Sequence, residues 1–414
     1  MNTNILHTLI RTPAPSNFET NIRKYIKSVI PSHKKVSLVS DKNTSLAYYV
    51  NAHKKKTIVL DAHMDEISGQ VISITEDGFC TINMTGPLIE HMHGRPVLVF
   101  SSILNKTIPG VILIDQVHVE DARKEKEDTY NNKILYLDIG LKNKKETKSK
   151  IEIGDAVIAD YSYTYLQKNI ITSRGLDNKL GVYILMHLLL HFIKHSNQLN
   201  YNIVCNFSGD EETGKTSLSH LKHIQPDSII VIDTDFSTDV PFLNSDMYGK
   251  IDIGKGAIIT RSNEDDGLFS TFKNLATKHK IPLQITVPGG GESMLSHYIR
   301  QYTAKTQFIA VPLRNIHSPV ETADLQDVTA VFTLLKHFLT KQTHTKKNRT
   351  IKRKSSNKRK PTRKSKGKRK SKGTRNSKGS RKGTRNSKGS RKGTRNSKGS
   401  RKGKNKDSRK RSNK

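Results

Sequence analysis

Apolar runs in this 414-residue chain end repeatedly in a histidine or a carboxylate. The run TIVLD at 57–61 leads into Ala62-His63-Met64-Asp65-Glu66. The run at 202–207 leads into Ser208-Gly209-Asp210-Glu211-Glu212, and the run at 228–232 ends at Asp233. The run at 307–311 precedes Arg314-Asn315-Ile316-His317-Ser318-Pro319. Asp177 stands in Gly175-Leu176-Asp177-Asn178-Lys179, just ahead of a helical pattern. Two imidazoles and three carboxylates supply N and O donors suited to zinc, cobalt or manganese. One carboxylate of such a set can bridge two ions, which lie about 3.5–4 Å apart in two-metal hydrolases. A metal-bound imidazole needs its second N–H held, and Asp65, two residues after His63, is spaced to hold it. The adjacent Glu211 and Glu212 allow a division of labour, one ligating and one moving protons.

Residues so scattered meet only if the fold gathers them. The pattern predicts a helix, a Pro-containing loop at 12–16 and a second helix at 18–29, then strands at 35–40, 45–51 and 57–61. Helix–strand alternation returns at 179–195 (helix), 202–207 and 228–232 (strands), 267–279 (helix), 283–287 (strand), 293–302 (helix), 307–311 (strand) and 325–341 (helix). This alternation predicts an α/β fold with a mostly parallel sheet flanked by helices. The carboxyl ends of such strands form one edge, and the five ligating positions converge there. Between about 69 and 165 the pattern changes to short strands separated by Gly, Asn and Lys, including 70–75, 96–100, 110–114 and 156–161. That is a small inserted all-β domain. The expected organisation is a catalytic domain at 1–68 and 166–341, a barrel-like insert at 69–165 and a tail at 342–414.

In combination, order and spacing, these motifs resemble the M42 family of metallo-aminopeptidases, the glutamyl and tetrahedral aminopeptidase group. The segments that carry the resemblance are AHMDEISGQV (62–71), RGLDNKLGV (174–182), SGDEETG (208–214), VIDTDFSTDVP (231–241), IGKGAII (253–259) and RNIHSPVE (314–321), with YLDIG (136–140) and IGDAV (153–157) in the insert. The resemblance spans 6–339. It implies that His63, Asp177, Glu212, Asp233 and His317 ligate two divalent metals, zinc first and cobalt or manganese next, with Asp177 bridging. It further implies that Glu211 is the general base, that Asp65 orients His63, and that a metal-activated water releases the N-terminal residue of peptides. An oligomer built through the insert, such as a dodecamer, is also implied. Gly289-Gly290-Gly291-Glu292-Ser293 departs from the family's usual Gly-Gly-Thr-Asp-Ala, which bears on specificity and rate. Two alternatives stay open: a catalytically silent scaffold that binds nucleic acid through the tail, and a deacylase acting on a related amide.

Charge separates body from tail. Residues 1–341 carry 38 Lys+Arg against 36 Asp+Glu, whereas 342–414 carry 34 Lys+Arg and a single acid, Asp407. The tail repeats TRNSKGSRKG three times, from Thr374, Thr384 and Thr394, and Ile351 is its only large apolar residue. Such a segment buries too little to offset chain entropy and is expected to stay disordered. Its charge suits phosphate neutralisation on nucleic acid or another polyanion, and its basic clusters suit nuclear import. Two cysteines, Cys80 and Cys205, make no disulfide framework and are expected as buried free thiols. The N-terminus lacks a signal-peptide core, and apolar stretches are expected to fall short of a membrane span. These features point to a soluble, cytoplasmic protein without membrane attachment, with a nuclear location as the alternative. Asp210 and Asp235 are taken as neighbours of the site. His187, His191 and His195, at four-residue spacing, are expected to be the polar edge of a helix. His91-Met92-His93 alternates like a strand, with interface or loop packing as its expected use.

Overall fold

The computed structural model describes residues 1–341 apart from 43, 85–88, 115–134, 162, 217, 262–266, 288–297 and 299–301. The tail at 342–414, the Gly289–Ser293 loop and most of the helix expected at 293–302 therefore lie outside the described residues.

In chain order the strands are β1 (Val36–Lys42), β2 (Ser45–Val50), β3 (Thr57–His63), β4 (Gly69–Ile74), β5 (Cys80–Met84), β6 (Pro96–Ser101), β7 (Lys106–Ile112), β8 (Leu135–Asp138) and β9 (Ala156–Ala159). They continue as β10 (Thr164–Tyr165), β11 (Ile170–Ser173), β12 (Asn202–Ser208), β13 (Ser228–Phe236), β14 (Ala257–Thr260), β15 (Leu283–Thr286), β16 (Lys305–Leu313) and β17 (Glu321–Asp324). Eight strands form one sheet in the order β1-β2-β12-β3-β13-β16-β14-β15. Its centre, β12-β3-β13-β16, is parallel. Antiparallel pairs enter on either side, at β1-β2, β2-β12 and β16-β14. The expected parallel character thus holds in the four strands that carry the site and again at the β14-β15 edge.

Those four strands are apolar on both faces because both faces are covered. Ile58, Leu60 and Ala62 of β3 join the larger core, formed with helices Thr3–Arg11, Thr20–Val29, Leu176–His195, Leu268–His279 and Leu325–Leu339. Val59 points the other way, into a smaller core with Ala47, Val204, Ile229, Val231 and Tyr298. Each fully buried Leu or Ile contributes roughly 1.5–3 kcal/mol, so the sheet is a stiff platform for whatever its ends carry.

In the helix Leu176–His195, Asp177 and Asn178 are non-helical, so the regular helical backbone begins at Lys179, as expected. With the turn that follows, Leu176–Gln198 is long and apolar enough to cross a membrane by length and composition, contrary to the expectation of shorter apolar stretches. Of its apolar window, 83% is buried inside the fold. It is apolar nearly all round because it packs on the sheet and on the terminal helices alike.

β4-β5-β8-β7-β6-β9 close into a barrel with its own core of Val71, Cys80, Ile82, Val97, Val99, Ile112, Leu137 and Val157. Cys80 and Cys205 are buried free thiols, as expected. His91-Met92-His93 is not a strand: Ile89–Met92 forms a helical turn, so the alternation there had no pleat behind it. A third sheet, β10-β11-β17, is small and antiparallel.

Candidate metal centre

Register places the functional side chains at one edge. Ser208, the last residue of β12, pairs with His63, the last of β3. β13 pairs with β3 up to Val231–Asp61, so Asp233 emerges beside His63. The loop after Leu313 of β16 delivers His317. Asp177 arrives from the opposite direction, at the start of the Leu176–His195 helix. That start is non-helical at Asp177 and Asn178 and is tied to β13 by Asn178, whose Nδ2 donates to the Ile232 carbonyl (2.8 Å).

Two groups of ligand-type atoms result: His63, Asp177 and Asp233, and beside them Asp177, Glu212 and His317. Asp177 belongs to both. Its Oδ1 lies 3.1 Å from His63 Nε2, and its Oδ2 lies 3.3 Å from His317 Nε2. Asp233 Oδ1 lies 3.4 Å from His63 Nε2, and Glu212 Oε2 lies 3.4 Å from His317 Nε2. All five positions expected from the sequence are brought together. His63, Asp177 and Asp233 are buried, and His317 is partly open.

Asp65 is fully buried and organises the edge. His63 Nδ1 faces its carbonyl at 3.2 Å and its Oδ1 at 3.5 Å, so Nε2 is the nitrogen turned to the carboxylates. The same carboxylate accepts Ser16 Oγ (2.7 Å) and the N–H groups of Glu211 and Glu212 (3.2 Å each). It therefore couples the orientation of His63 to the position of the 211–212 loop.

The electrostatics are those of a site built for cations. Burial, joined by neighbouring Asp177, raises Glu212 well above the usual carboxylate range, and burial likewise raises Asp233. Burial opposes charge on His63, yet Asp233, Asp177 and Asp65 raise it well above its ordinary value. His317 is pushed up to about 9, burial being outweighed by Asp177. Burial lifts Glu211 to about 8, with Asp233 and Asp177 adding to the rise against His63. Protons here do the work of neutralising crowded carboxylates. Glu212 Oε1 is buried without a hydrogen-bond partner, an acceptor still lacking a positive group. The donor set, the crowding and this orphan oxygen fit divalent cations, and the two clusters sharing Asp177 are suited to a binuclear divalent-metal site.

The residues weighed as bystanders behave so. His187 receives the Asn2 N–H at Nε2 (2.9 Å) and turns Nδ1 to the Tyr183 carbonyl (2.9 Å). His191 packs against His195, and neither these nor His91 and His93 join a ligand cluster among the described residues. Asp210 adopts a left-handed backbone (φ 58°) that turns the chain toward Glu211. Asp235 accepts the Phe236 N–H (2.9 Å), and burial raises it to about 6.

Three supports were not singled out from sequence. Glu66 accepts the Ala14 N–H (2.8 Å) and Lys179 Nζ (2.6 Å) and pairs with Arg174, all buried. Glu321, fully buried, accepts the N–H of Asp177 and of His317. Glu19, buried under Asp210, accepts its N–H (3.2 Å). RNIHSPVE contained Glu321, but nothing in spacing alone distinguishes it from a surface acid.

Comparison with known proteins agrees with this geometry. A family model described as M42 glutamyl aminopeptidase matches residues 44–334. The FrvX protein of Escherichia coli strain K12 is 24% identical over 84% of this chain and 98% of its own length. Among solved structures, aminopeptidase APDkam598 from Desulfurococcus kamchatkensis superposes with a TM-score of 0.72 at 25% identity, covering 82% of this chain and 94% of that one. The TET1 peptidase of Pyrococcus horikoshii gives 0.72 at 24%, covering 82% and 99%.

Proposed function

Because this chain belongs to the M42 glutamyl aminopeptidase family, we propose a specific division of roles for its activity as a metal-dependent aminopeptidase acting on the free N-termini of peptides. In this reading His63 and Asp233 hold one divalent ion, Glu212 and His317 hold the other, and Asp177 is shared. Zinc is the first choice for this N and O donor set, with cobalt or manganese next. The observation that carries the reading is Asp177, whose two oxygens face two imidazoles in two ligand groups.

When bound, the two ions supply Lewis-acid polarisation of the scissile carbonyl and ease deprotonation of water. Glu211 then takes a proton from the attacking water as its oxygen bonds to the carbonyl carbon. It returns that proton to the departing amine nitrogen as the C–N bond breaks. Asp65 keeps His63 Nε2 turned inward and holds the Glu211 backbone against the site.

The domain reading places catalysis in 1–68 and 166–341 and assembly in 69–165. Exposed Ile72, Ile114, Tyr136 and Ile153 on the barrel segment support an interface there. The Pyrococcus horikoshii TET1 peptidase assembles into a tetrahedron or an octahedral shell, and a comparable homo-oligomer is proposed for this chain. The tail at 342–414, +33 by sequence, tethers the enzyme to nucleic acid or another polyanion. A cytoplasmic location, with nuclear import through the tail as the alternative, belongs to the same reading.

The test uses paired peptides that differ only by N-terminal acetylation, with the protein as purified, after chelation, and after Zn²⁺, Co²⁺ or Mn²⁺ is restored. Metal-dependent release of the first residue from the free peptides alone is expected. Hydrolysis of the acylated partner instead would favour a deacylase. No turnover by a metal-loaded protein would favour the silent scaffold.

A further inference from the structure

We propose that Glu321 is a positioning residue that fixes Asp177 relative to His317 and so sets the affinity of the ligand group these two share with Glu212. The proposal rests on reading the cluster as a metal centre.

Glu321 is fully buried, and its two carboxylate oxygens have separate duties. Oε2 accepts the Asp177 N–H at 3.0 Å, and Oε1 accepts the His317 N–H at 3.0 Å. One rigid, planar group therefore spans the main chains of two ligand residues that come from distant segments. Both N–H groups need such a partner. Asp177 stands at the start of the Leu176–His195 helix, where backbone donors have no carbonyl within their own element. His317 has a left-handed backbone (φ 56°), a conformation that costs a non-glycine residue roughly 1–3 kcal/mol unless its surroundings hold it.

The topology explains why Glu321 is at hand. β17 pairs antiparallel with β11, with Ser173 opposite Glu321, and β11 feeds directly into the 174–177 turn. Arg314 and Thr322 exchange backbone hydrogen bonds (2.9 Å each), which close the loop that carries His317. The small sheet β10-β11-β17 thus aligns two loops, and Glu321 cross-links them at the last step before the ligand side chains. Supports of this kind, when lost, typically cost metal affinity about 10–100-fold.

A glutamine at 321 is nearly isosteric but offers only one acceptor. It turns an NH₂ donor toward one of the two N–H groups. In full-length protein stripped of metal, Zn²⁺ would be titrated against a chelating dye. The wild type should take up two ions. Glu321→Gln should weaken one of the two binding steps by about 10–100-fold and the other by less. Its kcat should fall while KM stays near the wild-type value, because Glu321 does not touch substrate. Glu321→Asp, which keeps both acceptors on a shorter arm, should show a smaller shift in the same step and secures the test if the amide variant does not fold. Unchanged binding in both steps, with only a lower Tm of the metal-free protein, would overturn the proposal and leave Glu321 a purely structural residue. A wild type that binds fewer than two ions would instead overturn the metal-centre reading, and this proposal with it.

Discussion

Asp65 shows how much one buried carboxylate can decide. Its side chain receives a hydroxyl and two backbone N–H groups, so three donors lose their acceptor together if it goes, and His63 Nδ1 keeps the Asp65 backbone carbonyl but loses the carboxylate 3.5 Å away. Asp65→Ala is expected to lower metal affinity by about 10–100-fold, whereas Ser16→Ala should cost only about 1 kcal/mol of stability. Chelator competition and urea unfolding check the two. Glu66 carries a pH signature. Burial alone would raise it, but Arg174 and Lys179 outweigh burial and hold it near 2, against an ordinary 4.5. Its folded value lies below its unfolded one, so its stabilisation is complete above about pH 4.5 and is lost as pH falls toward 2. Glu66→Gln should therefore destabilise the protein at pH 6, on the order of 3 kcal/mol, and by progressively less below pH 4. Unfolding curves at both pH values read this directly. At this scale the sequence was informative where a polar residue closes an apolar run, as at His63 and Asp233. It was silent for Glu321 and Glu19, whose meaning comes from donors elsewhere in the chain.

Elements repeat the pattern. β3 and β12 were legible because strands covered on both faces need unbroken apolar runs. In the barrel, β5 and β8 are only five and four residues long and alternate with Thr81, Asn83 and Tyr136, which leaves little periodicity to detect. The helical turn at Ile89–Met92 misled for the same reason, since three residues fit either period. The glycines of IGKGA have a use that motif matching does not explain. Asp327, buried at the start of the Leu325–Leu339 helix, accepts the N–H of both Gly254 and Gly256 (2.6 Å each). Asp327→Ala would strand two donors, one of them buried, and should cost about 1–3 kcal/mol. A thermal or urea melt would register it, with the metal centre's affinity unchanged. Gly175 has φ 61°, and a Cβ there would meet Glu66 Oε2 at 2.5 Å, so Gly175→Ala should disturb the turn that presents Asp177 and reduce activity as well as stability.

The whole molecule separates by charge into a nearly neutral body and a tail of +33, and this division was visible from composition alone. A chain ending at Lys341 is expected to keep its kcat on short peptides and to lose salt-sensitive retention on heparin or DNA, as judged by elution salt. If the protein assembles, tails brought together on one particle would raise polyanion avidity without new contacts. What composition and motif order could not supply was the third dimension of the site. The five candidate ligand positions lie far apart in the chain, and the parallel register of β12, β3 and β13, with the β16 loop, brings the other four within reach of Asp177. The central claim is that these residues bind two ions for Glu211 to work beside. Its most direct test measures metal content and turnover of a free-amine peptide together, in the wild type and in Glu211→Gln. Two ions bound in both proteins, with kcat lower by about 10²–10⁴-fold in the variant, is the predicted result. Full turnover by Glu211→Gln, with its two ions in place, would contradict the account.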